Sequence, residues 1–280
     1  MSADALRFDI NLSILFTELP LLERPAAAAA AGFSEIELWW PFDGPGPADA
    51  ELDTLAAAIR DAGVDLVGLN FDAGHMPGGD RGLVSRPAQS LRFRDNVDVA
   101  TGFAASLDCR VLNALYGNRE DGVDPRAQDE LALENLGLAA EAADRIGAIV
   151  VVEALNSDEN PRYPLTTAAG AVAVADKVNA RTGLTNTTFL CDLYHLARNG
   201  EDLPTVIDTY AARFGHVQIA DTPGRGQPGS GELDFDELFR RLVAAGYTGR
   251  VGLEYKPVGP SADSFGWLPR ELRGLKGGAG

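Results

Sequence analysis

Residues 129–155 read DELALENLGLAAEAADRIGAIVVVEAL. The first two thirds are rich in alanine and leucine at helical spacing and stop at Gly147. An apolar, β-branched run then follows over Ala148–Leu155, carrying one acid, Glu153, near its end. A helix, a glycine and a buried strand in that order form one turn of a repeating β/α pattern. Outward from this stretch, strands are expected at Phe8–Leu15, Glu35–Trp40, Asp65–Phe71, Arg110–Tyr116, Thr188–Leu193, His216–Ala220 and Arg250–Tyr255, each beside a segment of helical period. Gly32, Gly63 and Gly246 stand, like Gly147, where a helix must end before the next strand. The run Ala26–Ala31, between Pro25 and Gly32, reads as the first barrel helix. Eight such units predict an α/β fold, a (β/α)8 TIM barrel in a single domain over residues 6–273, with a flexible glycine-rich tail at 274–280.

The length of 280 residues and 45% hydrophobic content suit one large core. A formal net charge of −17 and a pI near 4.5 argue against a nucleic-acid partner, which would need a basic stripe. A small ligand fits better, and an anionic one would need cations of its own inside the pocket. Cys109 and Cys191 lack any CxxC spacing, so neither a disulfide framework nor a thiolate zinc site is expected. The start MSADALRFDI has no apolar signal core, and no run of about 18 apolar residues occurs. These features predict a cytoplasmic protein with no membrane partner. Assembly into a homo-oligomer is compatible with this reading.

Four strands end in a polar side chain that is costly to bury alone. Glu153 follows Val150-Val151-Val152, Asp192 follows Phe189-Leu190-Cys191, Gln218 follows His216-Val217, and Glu254 follows Val251-Gly252-Leu253. Any single acid of this kind is more often a helix cap or a salt-bridge partner. On four successive strands of a barrel, however, the side chains can converge, and three carboxylates with one neutral amide suit a hard divalent ion, Mg²⁺ or Mn²⁺, better than zinc. Two long loops, Asp72–Ser90 and Thr222–Leu233, follow strands three and seven and belong to the same carboxyl-end face. Glycines 74, 78, 79 and 82 suggest a mobile lid in the first.

The segments Asn11-Leu12-Ser13 with Phe16, Val152-Glu153-Ala154-Leu155, Asp192-Leu193-Tyr194-His195, His216-Val217-Gln218-Ile219-Ala220, Gly229-Ser230-Gly231-Glu232 and Glu254-Tyr255-Lys256-Pro257 resemble the motifs of the hydroxypyruvate isomerase family of xylose isomerase-like barrels. The resemblance runs from about Phe8 to Pro257. It implies a metal on Glu153, Asp192, Gln218 and Glu254, with Glu153 and Glu254 as the acid/base pair that moves a proton between adjacent carbons through an enediolate. It implies that His195 bonds a substrate oxygen. Arg225 and Lys256 are the candidate clamp for a substrate carboxylate, Arg225 favoured for its planar fork, and Asn70 is a further substrate contact.

The implied reaction is hydroxypyruvate to tartronate semialdehyde, with a small anionic sugar acid as the partner. The chain departs from the family at Leu69, where a histidine commonly precedes the asparagine, and in the bulky pair Trp39-Trp40, either of which suits a pocket wall or the core. Isomerisation of a 2-oxo-tetronate therefore stays open. A ketose 3-epimerase is the next alternative, although such enzymes resemble this chain less at Gln218, where they carry histidine. Three histidines and the negative charge count against a trinuclear zinc nuclease. A non-catalytic metabolite-binding barrel also remains.

Overall fold

All eight expected strands form in the computed structural model, which describes residues 5–274. They are β1 (Arg7–Asn11), β2 (Glu35–Leu38), β3 (Asp65–Asn70), β4 (Val111–Asn113), β5 (Ile149–Glu153), β6 (Thr187–Asp192), β7 (Phe214–Ile219) and β8 (Arg250–Leu253). They run parallel in sequence order, and β1 pairs with β8 through Phe8 opposite Val251 and Asp9 opposite Gly252, closing the barrel. The connecting helices are α1 (Arg24–Ala30), α2 (Asp49–Ala62), α3 (Ser90–Ser106), α4 (Pro125–Asp144), α5 (Ala168–Thr182), the consecutive pair α6 (Leu193–Arg198) and α7 (Leu203–Tyr210), and α8 (Phe235–Ala244). Among the described residues, β8 is followed by a short 3-10 segment and the one-turn α9 (Arg270–Arg273). Residues 275–280 of the expected tail lie outside the described residues.

The glycines at 32, 63, 147 and 246 all take the positive φ that ends a helix. Strands stop earlier than the apolar pattern suggests. The chain leaves β1 at Asn11 because the Asn11 side-chain Oδ1 accepts from the backbone N–H of Ser13 at 2.9 Å, a local turn that competes with the sheet. β4 likewise ends at Asn113, and Tyr116 forms an antiparallel bridge with Gly82 instead.

Between sheet and helices the packing is apolar. Near the β1–β8 seam, Phe8 meets Phe239 of α8 at 5.6 Å and Trp267 at 6.0 Å, both edge-on. Inside the barrel the composition changes. Asp9 of β1, Glu37 of β2 and His216 of β7 are all buried, and His216 touches Glu37 at 2.8 Å although their strands stand three places apart. Only the barrel lumen allows that contact, so a charged layer occupies space that barrels commonly fill with branched aliphatics.

The loop between β3 and α3 is held closely, contrary to the expectation of a mobile lid. Two 3-10 turns, Met76–Gly78 and Pro87–Gln89, lie within it. Gly82 N–H donates to Ala73 at 3.0 Å, Ser85 N–H to Tyr116 at 2.7 Å, and Arg92 grips Asp72 through two bonds of 2.6 and 3.0 Å. Gly82 has φ +97°, and a Cβ there would come within 1.9 Å of the Leu115 carbonyl oxygen. The glycine serves close approach here. Gly82→Ala should therefore cost at least about 3 kcal/mol of stability, from a strained φ and a backbone clash together. Urea unfolding measures it, and a loss below about 1 kcal/mol would show that the loop yields after all.

Candidate active site

The polar ends of the strands meet at the carboxyl face of the barrel. Glu153 and Asp192 are the last residues of β5 and β6, Gln218 lies opposite Asp192 in the β6–β7 register, and Glu254 follows β8 directly. All four are buried. Carboxylate oxygens of Glu153, Asp192 and Glu254 and a ring nitrogen of His195 lie within 4.8 Å of one another.

The three acids are held differently. Glu254 Oε1 accepts from Trp39 Nε1 at 2.8 Å, Asn11 Nδ2 at 3.1 Å and Gln218 Nε2 at 3.3 Å, while Oε2 is ion-paired with Arg225. Asp192 caps α6: its Oδ1 accepts from Tyr194 N–H at 2.8 Å and His195 N–H at 3.1 Å, leaving Oδ2 toward the site. The cap and the cluster thus use different oxygens of one carboxylate. Glu153 receives one bond, from Asn113 Nδ2 at 2.9 Å.

Electrostatics follow from this inventory. Burial, then repulsion from Glu254 and Asp192, raises the Glu153 carboxyl well above the usual range. Burial and the Glu254 charge push Asp192 up to about 7. Glu254 is raised as well, chiefly by burial, although Arg225 opposes the shift. For Arg225 itself, burial works against the charge but is outweighed by Glu254, Asp192 and Glu153, which raise its pKa. One guanidinium therefore faces three carboxylates, and the site retains an affinity for positive charge.

His195 Nε2 is 3.9 Å from Glu153 Oε1 and 3.7 Å from Asp192 Oδ2. Its Nδ1 is met by the Asn156 backbone N–H at 3.1 Å and the Asn156 side-chain amide at 2.7 Å. Asn156 Oδ1 accepts from Glu159 N–H at 2.8 Å, so the amide presents its NH2 group to the ring. Burial, then Arg225 and Arg81, holds the imidazole pKa well below its ordinary value. The neutral ring consequently accepts at Nδ1 and carries its proton on Nε2, which faces the carboxylates as a donor. A donor nitrogen is a poor metal ligand. Gln218 completes the oxygen set instead, because its Oε1 is buried without a partner while its Nε2 is bonded. Three carboxylate groups and an orphaned amide oxygen form a donor set that could hold a hard divalent cation.

Above the cluster opens a cavity of about 910 Å³, lined among others by Trp39, Asn70, Arg81, His195, Arg225 and Lys256. Asn70, at the end of β3, makes no side-chain hydrogen bond among the described residues and is available to a ligand. Lys256 is exposed, and its ammonium has no protein partner among them. Arg225 is engaged: besides Glu254 it lies over the Tyr194 ring, 5.3 Å from the centroid. It could meet a substrate carboxylate only at the expense of Glu254. Arg81, which sequence reasoning missed, enters from the β3–α3 loop, fixed by Asn160 at 2.5 Å and by the Met76 and Asp80 carbonyls, with Nη2 left free. The expected tryptophan wall is Trp39, whose ring nitrogen touches Glu254. Trp40 packs against Phe42 at 5.0 Å, although it too reaches the cavity.

Two further groups escaped the sequence reading. Asp221, just past β7, accepts four backbone N–H groups, from Thr222, Gly229, Gly231 and Leu233 at 2.8 to 3.0 Å, and so shapes the loop that carries Arg225. Glu37 lies beneath Gln218 and Glu254, and an acid inside a strand was the signal that could have found it. Below Glu37, burial and the Glu37 charge hold the Asp9 carboxyl well above the usual range, and neither of its oxygens has a hydrogen-bond partner.

Comparison with known proteins agrees with this geometry. The family model for xylose isomerase-like TIM barrels matches residues 25–271. A Streptomyces coelicolor protein provisionally named hydroxypyruvate isomerase is 66% identical over 273 residues, covering 96% of this chain and 98% of the relative. The hydroxypyruvate isomerase of Escherichia coli K12 is 32% identical over 263 residues, or 94% and 98% of the two chains. A crystal structure described as AP endonuclease, family 2, from Brucella melitensis superposes with a TM-score of 0.84 at 36% identity, covering 94% of this chain and 98% of that one. Barrel closure, the acids at the ends of β5, β6 and β8, and full-length similarity all lead to one placement: the chain belongs to the hydroxypyruvate isomerase family of xylose isomerase-like TIM barrels.

Proposed function

We propose that this protein is a divalent-metal-dependent aldose–ketose isomerase of a small sugar acid, converting hydroxypyruvate to tartronate semialdehyde. The observation that carries the reading is the convergence of Glu153, Asp192 and Glu254 under a cavity whose rim offers the Lys256 ammonium and the free Nη2 of Arg81. Glu153, Asp192, Gln218 and Glu254 would hold Mg²⁺ or Mn²⁺, which supplies Lewis-acid stabilisation of the substrate oxygens. The chain's own groups do the rest. The reaction removes a proton from the hydroxymethyl carbon and returns one to the neighbouring carbon, which requires two proton carriers, and Glu153 and Glu254 sit on different sides of the cluster to serve as them. His195 Nε2–H donates to a substrate oxygen. Lys256 and the free Nη2 of Arg81 neutralise the carboxylate, a function the net charge of −17 makes necessary. Arg225 keeps the Glu254 carboxylate in place.

Chelation should abolish isomerisation, and added Mg²⁺ or Mn²⁺ should restore it. Glu153→Gln and Glu254→Gln should each lower turnover at least about a hundredfold. Steady-state kinetics on hydroxypyruvate, a 2-oxo-tetronate and a free ketose read both effects. Full activity without metal, or a wild type that prefers the neutral ketose, would sink the assignment, and preference for the tetronate would move it to the four-carbon acid.

The carboxylate clamp separates from catalysis in the same assay. Lys256→Met should raise KM for the acid about tenfold or more with kcat nearly unchanged, the scale of a charged hydrogen bond, and should leave a neutral ketose unaffected. An equal loss on acid and neutral substrates would remove Lys256 from carboxylate recognition.

Asp192 gives a pH prediction with a definite sign. Its folded pKa of about 7 lies above the ordinary carboxylate value, so the native state binds more protons than the unfolded state between the two. Stability of metal-free protein must therefore fall as pH rises through that window and level off above it, by at most about 4 kcal/mol from this group. Thermal melts in chelator from pH 5 to 8 should show the slope, reduced in Asp192→Asn. An unchanged slope in the variant would assign the effect to other groups.

A further inference from the structure

The amide of Gln218 can present either its oxygen or its nitrogen to a cation, and only the oxygen binds one. What fixes the choice lies underneath. Glu37 Oε1 accepts from Gln218 Nε2 at 2.8 Å and from Asn11 Nδ2 at 3.0 Å, while Glu37 Oε2 is bonded to His216 Nε2 at 2.8 Å. A flipped Gln218 would set its carbonyl oxygen against a carboxylate. The remaining anchor of Nε2, Glu254 Oε1 at 3.3 Å, is longer and belongs to a residue that the metal reading commits elsewhere.

The barrel makes room for this carboxylate. A Cβ on Gly252 of β8 would come within 2.8 Å of Glu37 Oε1 and 3.0 Å of His216 Nε2, and one on Gly68 of β3 within 3.2 Å of Glu37 Oε2. Two strand-interior glycines on opposite sides leave the seat that Glu37 fills. Asn11 adds a second link, since its Nδ2 also donates to Glu254 Oε1 at 3.1 Å and its orientation is fixed by Ser13.

We propose that Glu37 is a positioning residue for the metal centre: it holds the Gln218 amide by Nε2 so that Oε1 is the atom offered to the ion, with His216 as the brace behind it. The inference rests on the metal reading given under Proposed function and goes beyond it by naming what sets the ligand's orientation. Partners of this kind are worth about tenfold to a hundredfold in metal affinity.

The test is Mn²⁺ affinity, read as free Mn²⁺ by electron paramagnetic resonance, in wild type, Glu37→Gln, Gln218→Glu and the double variant. Glu37→Gln should weaken binding about tenfold to a hundredfold. In the Gln218→Glu background, where the ligand has two equivalent oxygens and would be repelled by Glu37, the same change should cost nothing or strengthen binding. Equal losses in both backgrounds would make Glu37 a general support of the barrel and overturn the proposal, as would a folded Glu37→Gln protein with wild-type affinity. Wild type that binds no Mn²⁺ would remove the metal reading and this inference together, which distinguishes the two failures. Should Glu37→Gln fail to fold, nuclear magnetic resonance of Mg²⁺-loaded wild type decides. The Gln218 side-chain amide protons should exchange slowly with solvent, and fast exchange would overturn the proposal.

Discussion

Three carboxylates buried at one end of a barrel, one of them paired with the Arg225 guanidinium, are the constraint around which this molecule is organised. Like charges a few ångströms apart in a poorly solvated site raise one another's proton affinity, and the fold answers in several ways. Glu254 collects three neutral donors and Arg225. Asp192 spends one oxygen on the first turn of α6. Glu153 leans on Asn113 alone and is correspondingly the least satisfied of the three. None of these arrangements removes the crowding of like charges.

The architecture was legible because it is periodic. Gly147 and the run Ala148–Leu155 announce a helix stop and a strand, and the same pattern recurs with enough regularity to count the units. Strand ends were less legible because local polar bonds set them: the Asn11–Ser13 turn and the Gly82–Tyr116 bridge each cut short an apolar run that sequence alone would extend. The β3–α3 loop misled for a related reason. Glycine supplies both freedom and closeness, and at Gly82 the deciding neighbour is a carbonyl more than thirty positions away in sequence.

In the site, acids at strand ends were visible because each interrupts an apolar run. Their partners were not. Arg81 belongs to a loop with no pattern of its own, and Asp221 looks like any acid after a strand until four backbone N–H groups are found around it. Arg225 was found for its charge, but which carboxylate it holds depends on the positive φ of 56° at that residue and on the folded course of its loop, neither of which spacing conveys. Glu37 could have been recognised, since an acid inside Glu35–Leu38 is as anomalous as one at the end of Ile149–Glu153.

The seat formed by Gly68 and Gly252 has a consequence for inheritance. A side chain at 252 would bring its Cβ within 2.8 Å of Glu37 Oε1 and 3.0 Å of His216 Nε2 in their present places. The order in which substitutions can accumulate is therefore biased: a lineage accepts a larger residue at 252 most easily once Glu37, the nearer of the two, has been given up or has shifted. Regaining the acid in its present place is then easiest after glycine has returned. Positions 37, 68 and 252, far apart in the chain, are thereby coupled, and the two glycines among them record the presence of a carboxylate they never touch chemically.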